Sequence, residues 1–212
     1  MEIALVIPAY NEESTIENVV NEVSPYIKNI IIVNDCSNDS TEEILKKMPV
    51  KIINNQKNFG YTKTLEKGIR EAFKLGADYV ITYDADGQHQ TSDLVKYIAI
   101  IKDKKPDLII GNRSIKNRFM EQIFSIYSKL KYGFSDPLCG MKAYKRSLFE
   151  KYGQLENRYS IATEFTFRAI KDGASFFEIP IQTEKRLSKS RFANSLKGNL
   201  LELKAFLNIL FI

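Results

Sequence analysis

Residues 80–89, VITYDADGQH, join a short apolar run to two carboxylates and an amide. The run is rich in β-branched side chains, which predicts a buried strand. Asp84 and Asp86 follow where this strand ends, and Gln88 comes two residues later. In open α/β sheets, ligands bind outside the carboxyl ends of the strands. We therefore expect Asp84, Asp86 and Gln88 to offer oxygen ligands to a hard cation that holds a diphosphate.

Similar short apolar runs elsewhere predict the strands that surround this one. They lie at residues 2–7, 29–33, 50–53 and 107–110. Between them, apolar residues recur at the spacing of amphipathic helices. Ser14 with Glu17, and Ser40 with Glu43, have the spacing of helix capping boxes. This alternation of strands and helices predicts an α/β fold with a doubly wound, mostly parallel sheet.

The alternation breaks after residue 113. Helical spacing continues at 119–131 and 164–171, and two further strands, at 140–145 and 175–181, are expected in a mixed extension of the sheet. Leucines at positions 196, 200, 203, 207 and 210 form one stripe of a C-terminal amphipathic helix. That helix could lie in a membrane interface or pack on protein.

Length and composition limit the class of protein. A chain of 212 residues, with 44% hydrophobic and 27% charged residues, fits one globular domain and excludes a disordered or polytopic membrane protein. The net charge of +5 is modest, and we expect no nucleic-acid partner. Cys36 and Cys139 lack a partner at metal-binding spacing, which favours a reducing, cytoplasmic compartment. Cys139 is expected to serve packing.

Other enzymes that use paired carboxylates are excluded by the order of the motifs. A phosphatase of the haloacid dehalogenase type needs its acidic pair after the first strand, where residues 8–10 read PAY. A P-loop enzyme needs its glycine-rich Lys-Ser/Thr loop there, and a sugar-activating nucleotidyltransferase needs a glycine-rich, arginine-containing loop. Neither pattern is present in the sequence.

Further candidate residues follow the first, second and fifth strands. Asp35 can accept hydrogen bonds from a nucleobase or a ribose, and Tyr10 and Glu12 can line the same pocket. Arg113 can bind a phosphate through two N–H groups. His89 stands beside the acidic pair, where a supporting role is favoured over that of a base.

Seven motifs in this order resemble those of family 2 glycosyltransferases. They are residues 7–13 (IPAYNEE), 33–39 (VNDCSND), 58–60 (NFG), 84–89 (DADGQH), 111–113 (GNR), 136–140 (DPLCG) and 178–181 (EIPI). The resemblance covers about residues 3–191 and is greatest with the dolichol-phosphate mannose synthase group. It implies a GT-A fold in one domain, divided into a nucleotide-sugar-binding half (1–113), an acceptor-side half (114–192) and the amphipathic helix (193–212).

The resemblance also assigns roles to individual residues. Substrate-binding positions are Pro8, Tyr10, Glu12, Val33, Asp35, Ala85, Arg113, Arg186 and Arg191. Metal and diphosphate positions are Asp84, Asp86 and Gln88, with Mg²⁺ or Mn²⁺ as the cofactor. Asp86 is thereby also expected to take part in catalysis.

The implied reaction is an inverting, metal-assisted transfer of a mannose- or glucose-type sugar from a GDP- or UDP-linked donor. A polyprenyl phosphate acceptor, positioned by Arg186 and Arg191, needs no general base. The hydroxyl of a glycan acceptor needs one, and Asp136 is the candidate by motif. A non-catalytic nucleotide-sugar-binding protein is a further alternative. The C-terminal helix favours the lipid acceptor and a peripheral position on the cytoplasmic face of a membrane, against lipid or a membrane protein.

Overall fold

The computed structural model describes residues 1–114, 116, 119–155, 162–182 and 196–210. Seven strands form one sheet, and eight helices accompany it in the described ranges. The strands are β1 (Ile3–Ala9), β2 (Asn29–Asn34), β3 (Lys51–Asn54), β4 (Tyr79–Thr82), β5 (Leu108–Arg113), β6 (Lys142–Lys145) and β7 (Phe176–Ile181). The helices are α1 (Ile16–Val23), α2 (Thr41–Leu45), α3 (Tyr61–Lys74), α4 (Thr91–Lys104), α5 (Phe119–Tyr132), α6 (Arg146–Tyr152), α7 (Thr163–Lys171) and α8 (Leu196–Leu210).

The sheet has the strand order β3-β2-β1-β4-β6-β5-β7. All neighbouring strands are parallel except at β6, which runs antiparallel to both β4 and β5. The mostly parallel, mixed sheet is therefore confirmed. The expected position of β6 in an extension of the sheet is wrong, because β6 lies inside the sheet, between β4 and β5. Its residues Lys142, Ala143 and Tyr144 are all buried, as in a strand that has neighbours on both sides. β7 alone extends the sheet, parallel to β5.

The sheet separates two apolar layers. One layer packs α3, α5 and α7 on one face through residues such as Val33, Leu65 and Phe124. The other packs α1 and α4 on the opposite face through residues such as Ile7 and Leu94. With both faces covered, the loops at the carboxyl ends of β1, β2, β4 and β5 form the available crevice.

The predicted capping boxes are wrong. α1 follows Thr15, and α2 follows Ser40, with no side-chain cap hydrogen bond at either position. Asp39 instead accepts the backbone N–H of Thr41 at 3.0 Å, and the Thr15 hydroxyl donates to Glu12 Oε2 at 3.1 Å. These polar side chains bond within their own loops, to partners other than those that the capping-box spacing predicted.

The C-terminal helix is confirmed as α8. α6 was not predicted, because its seven residues follow β6 directly and have no separate amphipathic signal. Among the described residues, no helix has the length and apolar character needed to cross a membrane.

Candidate active site

The acidic turn after β4 is held by two side chains from the surrounding structure. Tyr61, the first residue of α3, donates its hydroxyl to Asp84 Oδ1 at 2.7 Å. His89 Nε2 lies 3.0 Å from Asp84 Oδ2. Asp86 is buried, and its Oδ1 accepts the backbone N–H of Gln88 at 3.1 Å. Gly87 makes this tight turn possible with a φ of 73°, a conformation that costs glycine little.

Burial and the contact with Asp84 keep the Tyr61 hydroxyl protonated. Burial raises the pKa of Tyr61 well above its ordinary value, and the charge of Asp84 raises it further. The phenol therefore remains a donor at neutral pH. His89 faces Asp84 with Nε2, and its Nδ1 is buried with no hydrogen-bond partner in the described part of the chain. His89 thus supports Asp84, in line with the role favoured for it.

The segment 136–140 covers the turn from the β5 side. A Cβ added to Gly140 would lie 2.6 Å from Asp84 Oδ2, so the backbone approaches the carboxylate as closely as glycine allows. The Thr82 hydroxyl donates to the Gly140 carbonyl at 2.6 Å. Lys142 is fully buried, and its ammonium donates to the carbonyls of Pro137 and Cys139 at 3.0 and 2.7 Å. This segment is therefore anchored on β4 and β6.

The other end of the segment holds Arg113. Asp136 Oδ2 accepts the Arg113 Nε–H at 2.8 Å and its backbone N–H at 3.0 Å, and Oδ1 accepts Nη2–H at 3.0 Å. Arg113 Nη1 lies 3.4 Å from Glu121 Oε1 on α5. Burial disfavours the charged guanidinium, but the hydrogen bond and charge of Asp136 outweigh it and hold the Arg113 pKa above its usual value. Arg113 and Asp136 thus form an ion pair at the edge of the crevice.

The tips of β1 and β2 are joined by hydrogen bonds. Asn11 N–H donates to Ser37 Oγ at 2.9 Å, and Glu12 N–H donates to Thr41 Oγ1 at 2.8 Å. These bonds join both loops into one wall of the crevice. Glu12 itself is buried, and Tyr10 is half-buried beside it.

Asp35 connects this wall to the loop before α3. Its Oδ1 accepts from Asn55 Nδ2 at 2.8 Å and from Phe59 N–H at 2.9 Å, and its Oδ2 accepts from Gly60 N–H at 2.9 Å. The carboxylate thus positions the loop that delivers Tyr61 to Asp84. The nucleoside contact expected of Asp35 stays a prediction.

The structure gathers the predicted residues along one edge of the sheet, with different exposures. Asp84, Asp86 and Gln88 share one turn, and segment 136–140 connects that turn to Arg113. Pro8, Val33 and Ala85 are buried, and the Val33 side chain packs in the core, so only its backbone can line a pocket. Arg186 and Arg191 lie outside the described residues. The individual binding roles stay predictions.

Sequence reasoning missed three side chains that build this edge. Tyr61, Asn55 and Lys142 orient Asp84, Asp35 and segment 136–140, respectively. Tyr61 follows the NFG motif directly, which is the one local signal that could have found it. Lys142 gave no signal, because a lysine in a strand normally points to solvent.

Divalent metal binding is tested by the chemistry of the donor set. The described residues contain no cluster of three or more His, Cys, Asp or Glu side chains that could hold a metal ion. The β4 turn nevertheless presents two carboxylates and one amide, which are the oxygen donors that Mg²⁺ and Mn²⁺ prefer. Magnesium sites are commonly completed by substrate phosphates and water. The residues present fit such a cation.

A mostly parallel sheet with one antiparallel strand, and an acidic turn at its switch-point edge, is the arrangement expected of the GT-A fold. The model of the family described as "Glycosyl transferase family 2" matches residues 4–153. This chain belongs to that family and is a glycosyltransferase.

Relatives of known name share most of the chain. It is 31% identical over 214 residues to UDP-N-acetylglucosamine–dolichyl-phosphate N-acetylglucosaminyltransferase of Methanococcus voltae, covering 85% of each chain. It is 26% identical to the polyprenol monophosphomannose synthase of Mycolicibacterium smegmatis, over 90% of this chain and 81% of that one.

A solved structure confirms the GT-A fold. Glucosyl-3-phosphoglycerate synthase from Mycobacterium tuberculosis, in complex with Mn²⁺, UDP and phosphoglyceric acid, superposes with a TM-score of 0.77 at 15% identity. The match covers 98% of this chain and 78% of that one.

Proposed function

We propose that this glycosyltransferase moves a mannose- or glucose-type sugar from a GDP- or UDP-linked donor to a polyprenyl phosphate, with inversion at the anomeric carbon. Two relatives are named for dolichyl-phosphate or polyprenol acceptors and differ in the sugar they carry. The class of acceptor is therefore better supported than the identity of the sugar.

The Arg113–Asp136 pair is the observation that carries the choice of a phosphate acceptor. A hydroxyl acceptor has to lose its proton to a base, and Asp136 is the candidate by motif. Both oxygens of Asp136 already accept hydrogen bonds from Arg113. Asp136 is thus better placed to hold a guanidinium than to accept a proton. A phosphate acceptor is already anionic at neutral pH and needs positive charge for positioning.

The residues of the crevice then have separate roles in the proposed reaction. Arg113, partly exposed at the crevice edge and held in place by Asp136, is proposed to offer positioned N–H donors to the reacting phosphates. Glu178 accepts the backbone N–H of Asp136 at 3.2 Å and so fixes the carboxylate that orients Arg113. An oxygen of the acceptor phosphate attacks the anomeric carbon as the bond from that carbon to the nucleoside diphosphate breaks. Arg186 and Arg191 are proposed to position the acceptor.

Asp84, Asp86 and Gln88 are proposed to hold Mg²⁺ or Mn²⁺. A cation bound there would neutralise the charge that develops on the departing diphosphate. Tyr61 and His89 keep Asp84 in one orientation, and the buried Asp86 carboxylate is pre-aligned by its bond to Gln88 N–H. Tyr10, Glu12 and Asp35 are proposed to line the nucleoside pocket.

Donor and acceptor are tested together with the purified full-length chain. Labelled GDP-mannose, UDP-glucose and UDP-N-acetylglucosamine are each incubated with polyprenyl phosphate, with an oligosaccharide acceptor, or with neither. We expect label in the lipid phase with one donor, only when polyprenyl phosphate is present. Transfer to the oligosaccharide that disappears in Asp136→Asn would instead establish the hydroxyl-acceptor alternative.

A further inference from the structure

The outer face of α5 is an exposed apolar stripe. Phe119, Ile126 and Leu130 are 73%, 61% and 84% exposed, and Ile123 between them is half-buried. Positions 119, 123, 126 and 130 lie on one side of a helix. The opposite side, with Met120, Phe124 and Ser128, faces the core. Large apolar side chains that are this exposed and contiguous indicate a contact surface.

α8 carries a second stripe with the same spacing. Leu203, Leu207 and Leu210 are exposed, whereas Ala205 and Ile209 lie in the core. From residue 203 onward, this helix therefore buries one narrow side and leaves these three leucines exposed. Packing of α8 on the rest of the protein explains its buried side, but it does not explain the three exposed leucines.

The two stripes lie side by side. The Phe206 ring of α8 packs edge-on against Phe124 and Tyr127 of α5, with centroids 5.1 and 5.4 Å apart. With about 100° of rotation per residue, Tyr127 and Phe206 fall between the buried side and the exposed stripe of their own helices. The exposed stripes thus meet along this ring contact. We call residues Phe119, Ile126, Leu130, Leu203, Leu207 and Leu210 the two-helix surface.

Positive charge flanks the two-helix surface. Lys129 on α5 and Lys204 on α8 are exposed, and each lies on the side of its helix away from the ring contact. Glu121, the acidic side chain of α5, is buried against Arg113. An apolar strip between lysines matches a layer of acyl chains beneath anionic headgroups.

The two-helix surface is also connected to the candidate active site. Glu121, in the first turn of α5, contacts the guanidinium of Arg113. The helix that carries the apolar stripe therefore begins beside the proposed phosphate-binding charge. An acceptor with a phosphate head and a lipid tail could reach Arg113 while its tail stays at the level of this surface.

We propose that the two-helix surface binds the interface of a bilayer that contains anionic lipid, with the apolar stripes inserted and the lysines at the headgroups. The proposal rests on the proposed function, because a polyprenyl phosphate acceptor is located in the membrane. It assigns lipid binding to α5 and α8 together, so that neither helix is sufficient alone.

Co-sedimentation with vesicles tests the proposal. Vesicles of phosphatidylcholine, with and without phosphatidylglycerol, are mixed with the full chain, with Ile126→Ser/Leu130→Ser, and with the control Leu75→Ser/Val95→Ser. The control residues are also exposed apolar side chains, but they lie outside the surface. We expect the α5 variant to bind at least about tenfold more weakly, because two inserted side chains return to water, and the control to bind like the wild type. Lys129→Glu/Lys204→Glu should weaken binding only to vesicles with phosphatidylglycerol.

Turnover separates this proposal from the proposed function. With a short-chain, water-soluble prenyl phosphate, the α5 variant should be as active as the wild type, and with a long-chain acceptor in vesicles it should be slower. Vesicle binding as expected, without turnover on either acceptor in any variant, supports the surface and overturns the function. Equal vesicle binding by the α5 variant and the wild type overturns the surface. So does self-association of the wild type that the α5 variant abolishes, because a second copy would then be the occupant.

Discussion

Gly140→Ala probes the closest contact in the candidate active site. The added methyl group would lie 2.6 Å from Asp84 Oδ2, 3.0 Å from Oδ1 and 3.1 Å from the Tyr61 hydroxyl. Alanine can adopt the backbone of Gly140, because its φ is not in the left-handed region. The substitution therefore tests space alone. Asp84 has to move by several tenths of an ångström, since the Thr82 hydroxyl holds the Gly140 carbonyl and the Lys142 N–H in place.

Displacement of Asp84 should lower both the rate of the reaction and the stability of the protein. A displaced Asp84 weakens its bond to Tyr61 or to His89, and a hydrogen bond to a charged group contributes about 1.5–3 kcal/mol. Misplacing a catalytic group by about 1 Å can cost about 10²-fold in rate. We thus expect kcat/KM to fall by up to about 10²-fold, with a loss of at most about 3 kcal/mol in the free energy of unfolding.

The assay is sugar transfer to lipid, run beside urea unfolding. Tyr61→Phe is the matched variant, because it removes one bond to Asp84 without a steric conflict, and it should lose less activity than Gly140→Ala. Wild-type turnover by Gly140→Ala would show that the position of Asp84 does not matter for the reaction and would refute this reasoning.

The remaining predictions concern buried charges and the buried thiol. Arg113→Met should lower the free energy of unfolding by about 3–5 kcal/mol, because it leaves Asp136 buried and unpaired, and Arg113→Met/Asp136→Leu should lose less; equal losses in urea would contradict the pairing. Lys142→Met should cost about 1–3 kcal/mol, because it leaves the Cys139 carbonyl without a donor while the Pro137 carbonyl still accepts from the Thr163 hydroxyl; the exposed control Lys129→Met should show no measurable loss. Burial raises the pKa of Cys139 from 9.0 to about 12, so the unfolded chain releases this proton first and stability should fall as pH rises through that interval. Cys139→Ala should reduce the alkaline loss in thermal unfolding, and an unchanged loss would count against a buried thiol.

The fold was largely predictable because its signals are local. Each of the strands β1 to β5 is a short apolar run, and each run ends where polar loop residues begin. The position of β6 was not predictable in this way, because Lys142 and Tyr144 are polar or amphipathic residues that become buried only through their neighbours. Strand order depends on contacts distant in sequence, which a periodic pattern does not contain.

In the candidate active site, too, the sequence predicted some features and did not predict others. The place of Asp84, Asp86 and Gln88 at the end of β4 was predicted, because strand-end acids are visible in the sequence. The partners that orient them were not, since Tyr61 approaches from the start of α3 and Gly140 from the turn before β6. Pairing of Arg113 with Asp136 was equally invisible, because 23 residues separate them. Sequence reasoning therefore assigned these two residues separate roles, whereas the structure makes them one unit.

The caps of α1 and α2 show why short motifs can mislead. Ser14 and Ser40 have glutamates at the right spacing, but Glu13 accepts the Ser40 backbone N–H and Asp39 accepts that of Thr41. At the start of α2, one contact from the other loop and one from a residue two positions away thus take the place of the predicted capping box.

The central claim is that the turn at the end of β4 binds the cation on which sugar transfer depends. Asp86→Asn keeps the size of the side chain and removes its charge. With polyprenyl phosphate as acceptor, and with Mn²⁺ or Mg²⁺ varied against EDTA, the wild type should transfer sugar only in the presence of metal. Asp86→Asn should lose at least about 10²-fold in kcat, because it removes one electrostatic contact that acts on charge developing in the transition state. Metal-independent transfer by the wild type, or full turnover by Asp86→Asn, would contradict the claim.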